Sequence, residues 1–201
     1  MKRILLLSIV VLLAGTAQAN ENNVPVYDNK GFYLNLTGML PYFSFDEADE
    51  KDSGYGGGVR LGFNFSPNFG IFLSADGSVM EVDVDDNEWE MMEEEGDADY
   101  ALVHVDIGAQ LTLGNIESRF RPYARASYLV VQLSDDYMDL KGDGYSVGGG
   151  VLLFISSSVA LDVNYTHSWI NIDEFEMSGY TQEVDIDATS QRIMGGLTFF
   201  F

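Results

Sequence analysis

The stretch Ser190–Phe201, SQRIMGGLTFFF, alternates strictly, and this constrains the fold more than any other feature of the chain. Ile193, Gly195, Leu197, Phe199 and Phe201 fall on one face, and Arg192, Met194, Gly196, Thr198 and Phe200 on the other. A period of two over about ten residues is a strand with one apolar face. Seven earlier segments repeat the pattern. Gly31–Ser44 sets Phe32, Leu34, Leu36, Leu40 and Tyr42 against Tyr33, Asn35 and Thr37. Tyr100–Leu113 sets Val103, Val105, Ile107, Ala109 and Leu111 against His104, Asp106, Gly108, Gln110 and Thr112. Gly54–Phe65, Gly70–Met80, Phe120–Leu133, Tyr145–Ile155 and Val159–Ile170 complete a set of eight.

The connections differ by parity. Ser66–Phe69, Gly114–Arg119 and Ser156–Ser158 are short, whereas Phe45–Ser53, Glu81–Asp99, Ser134–Gly144 and Asn171–Thr189 are long. Tight turns at one end, long loops at the other and an even strand count predict an all-β fold, an eight-stranded antiparallel up-and-down transmembrane barrel. A soluble calyx also alternates, but its exterior must carry charge. Here the polar face is built from Gly, Ser, Thr and Asn with a few charges, and the eight segments contain no Lys and no Glu. Small polar residues suit a narrow lumen, and continuous apolar faces suit lipid, which tolerates no open sheet edge. Tyr42, Tyr55, Tyr145 and Trp169 gather at one predicted rim, and Phe32, Phe65, Phe120, Phe199 and Phe201 at the other, as two interfacial belts.

Met1–Ala19 has a basic start (Lys2, Arg3), an apolar run and Ala17-Gln18-Ala19, which predicts a signal peptide cleaved after Ala19. Residues 20–30 then form a polar periplasmic leader and 31–201 the barrel. Loss of Lys2 and Arg3 would take the formal charge of −22 to −24. So acidic a chain lacks the clustered Lys and Arg that nucleic acid requires. With no cysteine, disulfides and thiolate metal sites are excluded.

Gly196, Phe199 and Phe201 resemble the C-terminal signal of bacterial outer-membrane barrels, although Met194 stands where a polar residue is usual. The resemblance implies recognition by the outer-membrane insertion machinery. Over Gly31–Phe201 the chain resembles the small eight-stranded outer-membrane proteins, namely the OmpA transmembrane domain, OmpX-type barrels and opacity-like surface proteins. Those families imply contact with outer-membrane lipid and lipopolysaccharide, and a scaffold role in adhesion, envelope integrity or surface defence.

The residues able to carry chemistry lie on the polar faces: Arg60, Arg121, Arg125 and Arg192, with Asp76, Asp106, Asp162 and His104. Eight strands enclose a space just wide enough for side chains. Buried charges there need partners, and Arg60 is expected to pair with Asp76 on the next strand. An Arg–Asp network plugging the lumen is the leading expectation, with a narrow small-solute channel as the alternative. A lipid A-modifying enzyme comes third. The deacylases of that class, by resemblance, use His and Ser two apart on one face, whereas His167 and Ser168 are adjacent and face opposite ways. His104 and Asp106 share a face, with Ser127 nearby, but inside the lumen, away from an acyl chain.

Twenty-six of the 32 acidic residues fall in the four long connections, against only Lys51 and Lys141. Asp83, Asp85, Asn87 and Glu94 follow a calcium-loop spacing, but Glu88 occupies the position that needs Gly. A crown of acidic loops with weakly bound Ca²⁺ or Mg²⁺, or with an external partner, is therefore expected. No other cofactor is.

Overall fold

A computed structural model describes residues 26–45, 52–81, 100–135, 138–177 and 180–201. The expected signal peptide therefore lies outside the described residues, as do Asp83, Asp85, Asn87 and Glu94. The strands are β1 (Gly31–Phe45), β2 (Asp52–Ser66), β3 (Phe69–Glu81), β4 (Tyr100–Thr112), β5 (Phe120–Ser134), β6 (Met138–Phe154), β7 (Val159–Met177) and β8 (Tyr180–Phe200). Each pairs antiparallel with its neighbours in sequence, and β8 closes onto β1 from Tyr33↔Phe200 to Phe45↔Ala188. Closure satisfies every ladder within the sheet, which a bilayer requires.

The alternation predicts which side chains point in. Tyr33 and Asn35 on β1, Arg60 and Asn64 on β2, and His104, Asp106 and Thr112 on β4 are buried inside, while Phe32, Leu61, Ile107 and Val163 are exposed on the outer wall. Inward glycines make room in a narrow interior. A Cβ on Gly58 would sit 2.3 Å from the Asp76 carboxylate, and one on Gly62 would meet the Tyr33 ring. At the expected rims, Tyr145 packs edge-on to Tyr128 at 5.7 Å at one end, and Phe32 to Phe63 at 4.8 Å at the other.

The tight turns fall where expected, but two of the long loops do not exist as loops. Strand β5 runs to Ser134 and β6 begins at Met138, while β7 runs to Met177 and β8 begins at Tyr180. The expected connections Ser134–Gly144 and Asn171–Thr189 are thus largely ladder, with Gly142 opposite Ile172 and Ile172 opposite Ile186. The reason is an inward apolar series on the same parity as the lumen face. Leu129, Val131, Leu133, Leu140, Ile170, Ile172 and Ala188 bury against Phe43, Met80, Tyr100 and Leu102. A bulge near Asp173 resets the alternation, so that Phe175 packs on this cluster while Glu174 and Glu176 reach Lys141.

Candidate functional site: a charged belt between two apolar clusters

All eight predicted lumen residues are inside the barrel, none more than 7% exposed. They separate into two networks and one outlier. In the first, Arg192 Nη1 donates to Asp76 Oδ2 at 2.5 Å and to Asp106 Oδ2 at 2.9 Å, and Nη2 donates to Asp106 Oδ1 at 3.1 Å. Ser127 and Ser146 hydroxyls add donors to Asp106 Oδ1 at 3.1 and 3.3 Å, and Ser168 lies 2.8 Å from Ser146. One guanidinium thus bridges two carboxylates from different strands. A bidentate fork of this kind is the strong form of the contact.

In the second network Arg60 Nη1 lies 3.5 Å from Asp162 Oδ2. Asp162 also accepts from Tyr123 at 2.7 Å, from Asn35 at 3.2 Å and from Asn164 at 3.3 Å. Arg125 Nη2 donates to Asn164 Oδ1 at 2.8 Å and to the Thr166 hydroxyl. Both guanidinium groups approach the Phe72 ring, Arg60 at 5.3 Å and Arg125 at 6.0 Å from its centroid. The expected Arg60–Asp76 pair is not formed. Register sets Gly58, not Arg60, opposite Asp76, and Arg192 has taken that carboxylate, so Arg60 reaches Asp162 on β7 instead. Across the belt, Arg60, Arg125 and Arg192 balance Asp76, Asp106 and Asp162.

Arg121 is the outlier. It lies at the tight-turn mouth with no carboxylate ion pair among the described residues, donating to Asn29 Oδ1 at 2.6 Å, Pro67 O at 2.6 Å and Tyr27 O at 3.3 Å. These partners are not legible in the sequence, because residues 20–30 have the composition of a polar leader. Tyr27 packs with Tyr33, Phe72, Tyr123, Leu152, Phe154, Ala160 and Phe200 in an apolar cluster that fills this end of the interior. The belt therefore lies between two apolar clusters, one at each end.

His104 is fully buried beside this belt, and neither ring nitrogen has a hydrogen-bond partner among the described residues. His167, by contrast, lies on the outer face, edge-on to Trp169 at 4.5 Å, while its neighbour Ser168 is buried inside. No acyl-transfer pair is assembled from either histidine and Ser168 or Ser127. In the terminal stretch expected to act as an assembly signal, Phe201 is exposed on the outer wall and its amide donates to Phe32 O at 2.9 Å. Gly196 is closely approached, since a Cβ there would lie 1.9 Å from the Leu36 carbonyl.

Beyond the rim tyrosines the outer wall turns polar. Asp139, Lys141 and Asp143 follow Tyr145 outward on β6, and Asn171 and Asp173 follow Trp169 on β7. Hydrogen bonds to Glu174 at 2.8 Å and Glu176 at 3.4 Å raise the pKa of the Lys141 ammonium above its ordinary value. Among the described residues no three acidic or histidine side chains converge in a metal-binding arrangement.

A family model for the outer membrane protein beta-barrel domain matches residues 5–199, and the chain belongs to that family. It is an integral protein of the Gram-negative outer membrane, in contact there with lipid and lipopolysaccharide. Among solved structures it is similar to Neisserial surface protein A, with 16% identity and a TM-score of 0.57 over 86% of this chain and 98% of that one. It is similar also to OprG of Pseudomonas aeruginosa, with 15% identity and a TM-score of 0.58 over 90% and 99%. The outer membrane protein AlkL gives 9% identity and a TM-score of 0.52 over 92% and 95%. At these identities the likeness is one of fold. No curated protein matches the sequence.

Proposed function

We propose that this barrel is a non-enzymatic scaffold of the outer membrane, which holds an acidic, strand-built head outside the cell and does not conduct. The leader and tight turns face the periplasm, and the ends of β5–β8 face outward. The observation that carries this reading is the filled interior, a charge-balanced Arg–Asp belt between two apolar clusters. Eight strands leave little more room than side chains need. The acidic head, together with the acidic segments of the two remaining connections, attracts Ca²⁺ or Mg²⁺ weakly and meets an external partner or lipopolysaccharide through such ions. Gly196, Phe199 and Phe201 serve as the insertion signal; with Phe199 and Phe201 replaced by Ala, surface levels fall while folding into detergent persists.

A specific observation favours the channel as second reading. Arg60 Nε, Arg125 Nη1, Arg192 Nε and both His104 nitrogens have no hydrogen-bond partner among the described residues, and water in the lumen would satisfy them. Single-channel recording in planar bilayers, paired with a lipid A mass profile with and without the protein, separates the readings. The scaffold gives neither steady conductance nor a changed acyl pattern. Steady conductance establishes the channel, and an acyl change lost on His104→Ala or His167→Ala establishes the enzyme.

A further inference from the structure

The segment Val26–Lys30 crosses the tight-turn mouth without joining the sheet. Tyr27 and Asn29 are nonetheless buried, at 3% and 1% exposure. Their contacts are specific and mostly from side chains. Arg119 Nε donates to the Tyr27 hydroxyl at 2.7 Å, Arg121 Nη1 to Asn29 Oδ1 at 2.6 Å, and Asn64 Nδ2 to Asn29 O at 2.6 Å. The Tyr27 amide donates to Ile116 O at 2.7 Å, and its ring packs tilted against Phe154, with centroids 5.2 Å apart. We infer that the tight-turn mouth is a peptide-binding site whose ligand is the chain's own Tyr27-Asp28-Asn29, seated as a stopper that can leave without breaking a ladder.

Two features distinguish a docked ligand from a piece of the wall. The segment adds no strand pairing, so its departure costs the barrel no ladder hydrogen bond. The receptor is also incomplete without it. Arg121 is a fully buried guanidinium that forms no carboxylate ion pair among the described residues, and two of its three acceptors, together with the Asp28 carboxylate whose charge acts on it, belong to the leader. With the leader gone Arg121 would keep only the Pro67 carbonyl, and an under-partnered buried charge strongly favours rebinding. The site therefore recognises an aromatic residue followed, two positions later, by a side-chain carbonyl. The aromatic fills the cluster around Phe154 and the carbonyl meets Arg121.

The absence of cysteine allows a single reporter thiol to be placed. Phe154→Cys in the full mature barrel is exposed to a water-soluble maleimide, alone and combined with Tyr27→Ala and Asn29→Ala. Folding is verified by heat-shifted gel migration. We expect labelling to be slow with the native leader and at least about tenfold faster without the two side chains, since each removes a hydrogen bond to a charged group. A synthetic peptide covering Val24–Lys30, added in trans, should restore protection, and Leu129→Cys in the opposite cluster should stay slow throughout. Tyr27→Phe, which keeps the ring and loses the Arg119 contact, should fall in between. Equal labelling with and without the leader side chains overturns the stopper. Failure of the double variant to fold overturns its separability, and failure of the peptide to protect overturns the receptor. None of these readings depends on whether the lumen conducts.

Discussion

The same strands run through two environments and reverse their polarity between them. Along β7, Leu161, Val163, Tyr165 and Trp169 face out while Asp162, Asn164, Thr166 and Ser168 face in; directly beyond, Asn171 and Asp173 face out while Ile170 and Ile172 face in. On β5 the inward series changes from Arg121, Arg125 and Ser127 to Leu129, Val131 and Leu133. As far as the bulge near Asp173 the backbone does not distinguish the halves, because side chains keep the same alternation across the change. What changes is the solvent outside. Against lipid an apolar wall is favourable and the polar residues must satisfy one another inside. Against water the ordinary rule returns, and an apolar core of about ten side chains supplies the driving force. The rim tyrosines and Trp169 mark the level of reversal.

The contrast predicts that equivalent substitutions act differently in the two halves. The largest effect is expected in the belt. Arg192→Met strands two buried carboxylates and should cost about 3–5 kcal/mol in reversible unfolding from lipid vesicles. Adding Asp76→Asn and Asp106→Asn should recover most of the loss; a small loss in the single variant would mean that water screens the belt. In the head, Leu102→Ala should cost roughly 2–5 kcal/mol by leaving a cavity in a dry core. A loss below about 1 kcal/mol would mean that this cluster is loosely packed or wet. On the outer wall, Val163→Arg near the middle of the apolar band should cost about 2–4 kcal/mol. Asp185→Lys on the head's outer face should stay within about 0.5 kcal/mol. Equal costs for the last two would erase the distinction between the halves.

Much of this was legible in the sequence. Strand number, the inward parity and all eight lumen residues follow from alternation alone, since a slip of one residue would turn Arg60 or Arg192 into lipid. Partner choice was not legible. Arg60 pairs with Asp162 across the interior rather than with a neighbour, which depends on strand tilt and on Arg192 occupying Asp76. The head was not legible, because Asp143, Asp173, Glu183 and Asp185 give the segments the composition of loops and mask the continuing inward series Ile172, Val184 and Ile186. The stopper left the weakest trace. Tyr27 and Asn29 lie in a short polar segment with no period, and their receptor residues Asn64, Arg119 and Arg121 are distributed over β2, β5 and the turn before it.

The reversal itself can be read along one strand. Single cysteines placed in turn from Leu161 to Asp173, carrying a nitroxide spin label, report accessibility to oxygen, which partitions into lipid, and to a water-soluble nickel complex. Odd positions should favour oxygen through Trp169 and the nickel complex from Asn171, while Ile170 and Ile172 should be reached by neither. Nickel access at Ile170 and Ile172 equal to that at Asn171 and Asp173 would contradict the account, because the segment would then be a solvated loop and not the wall of a closed head.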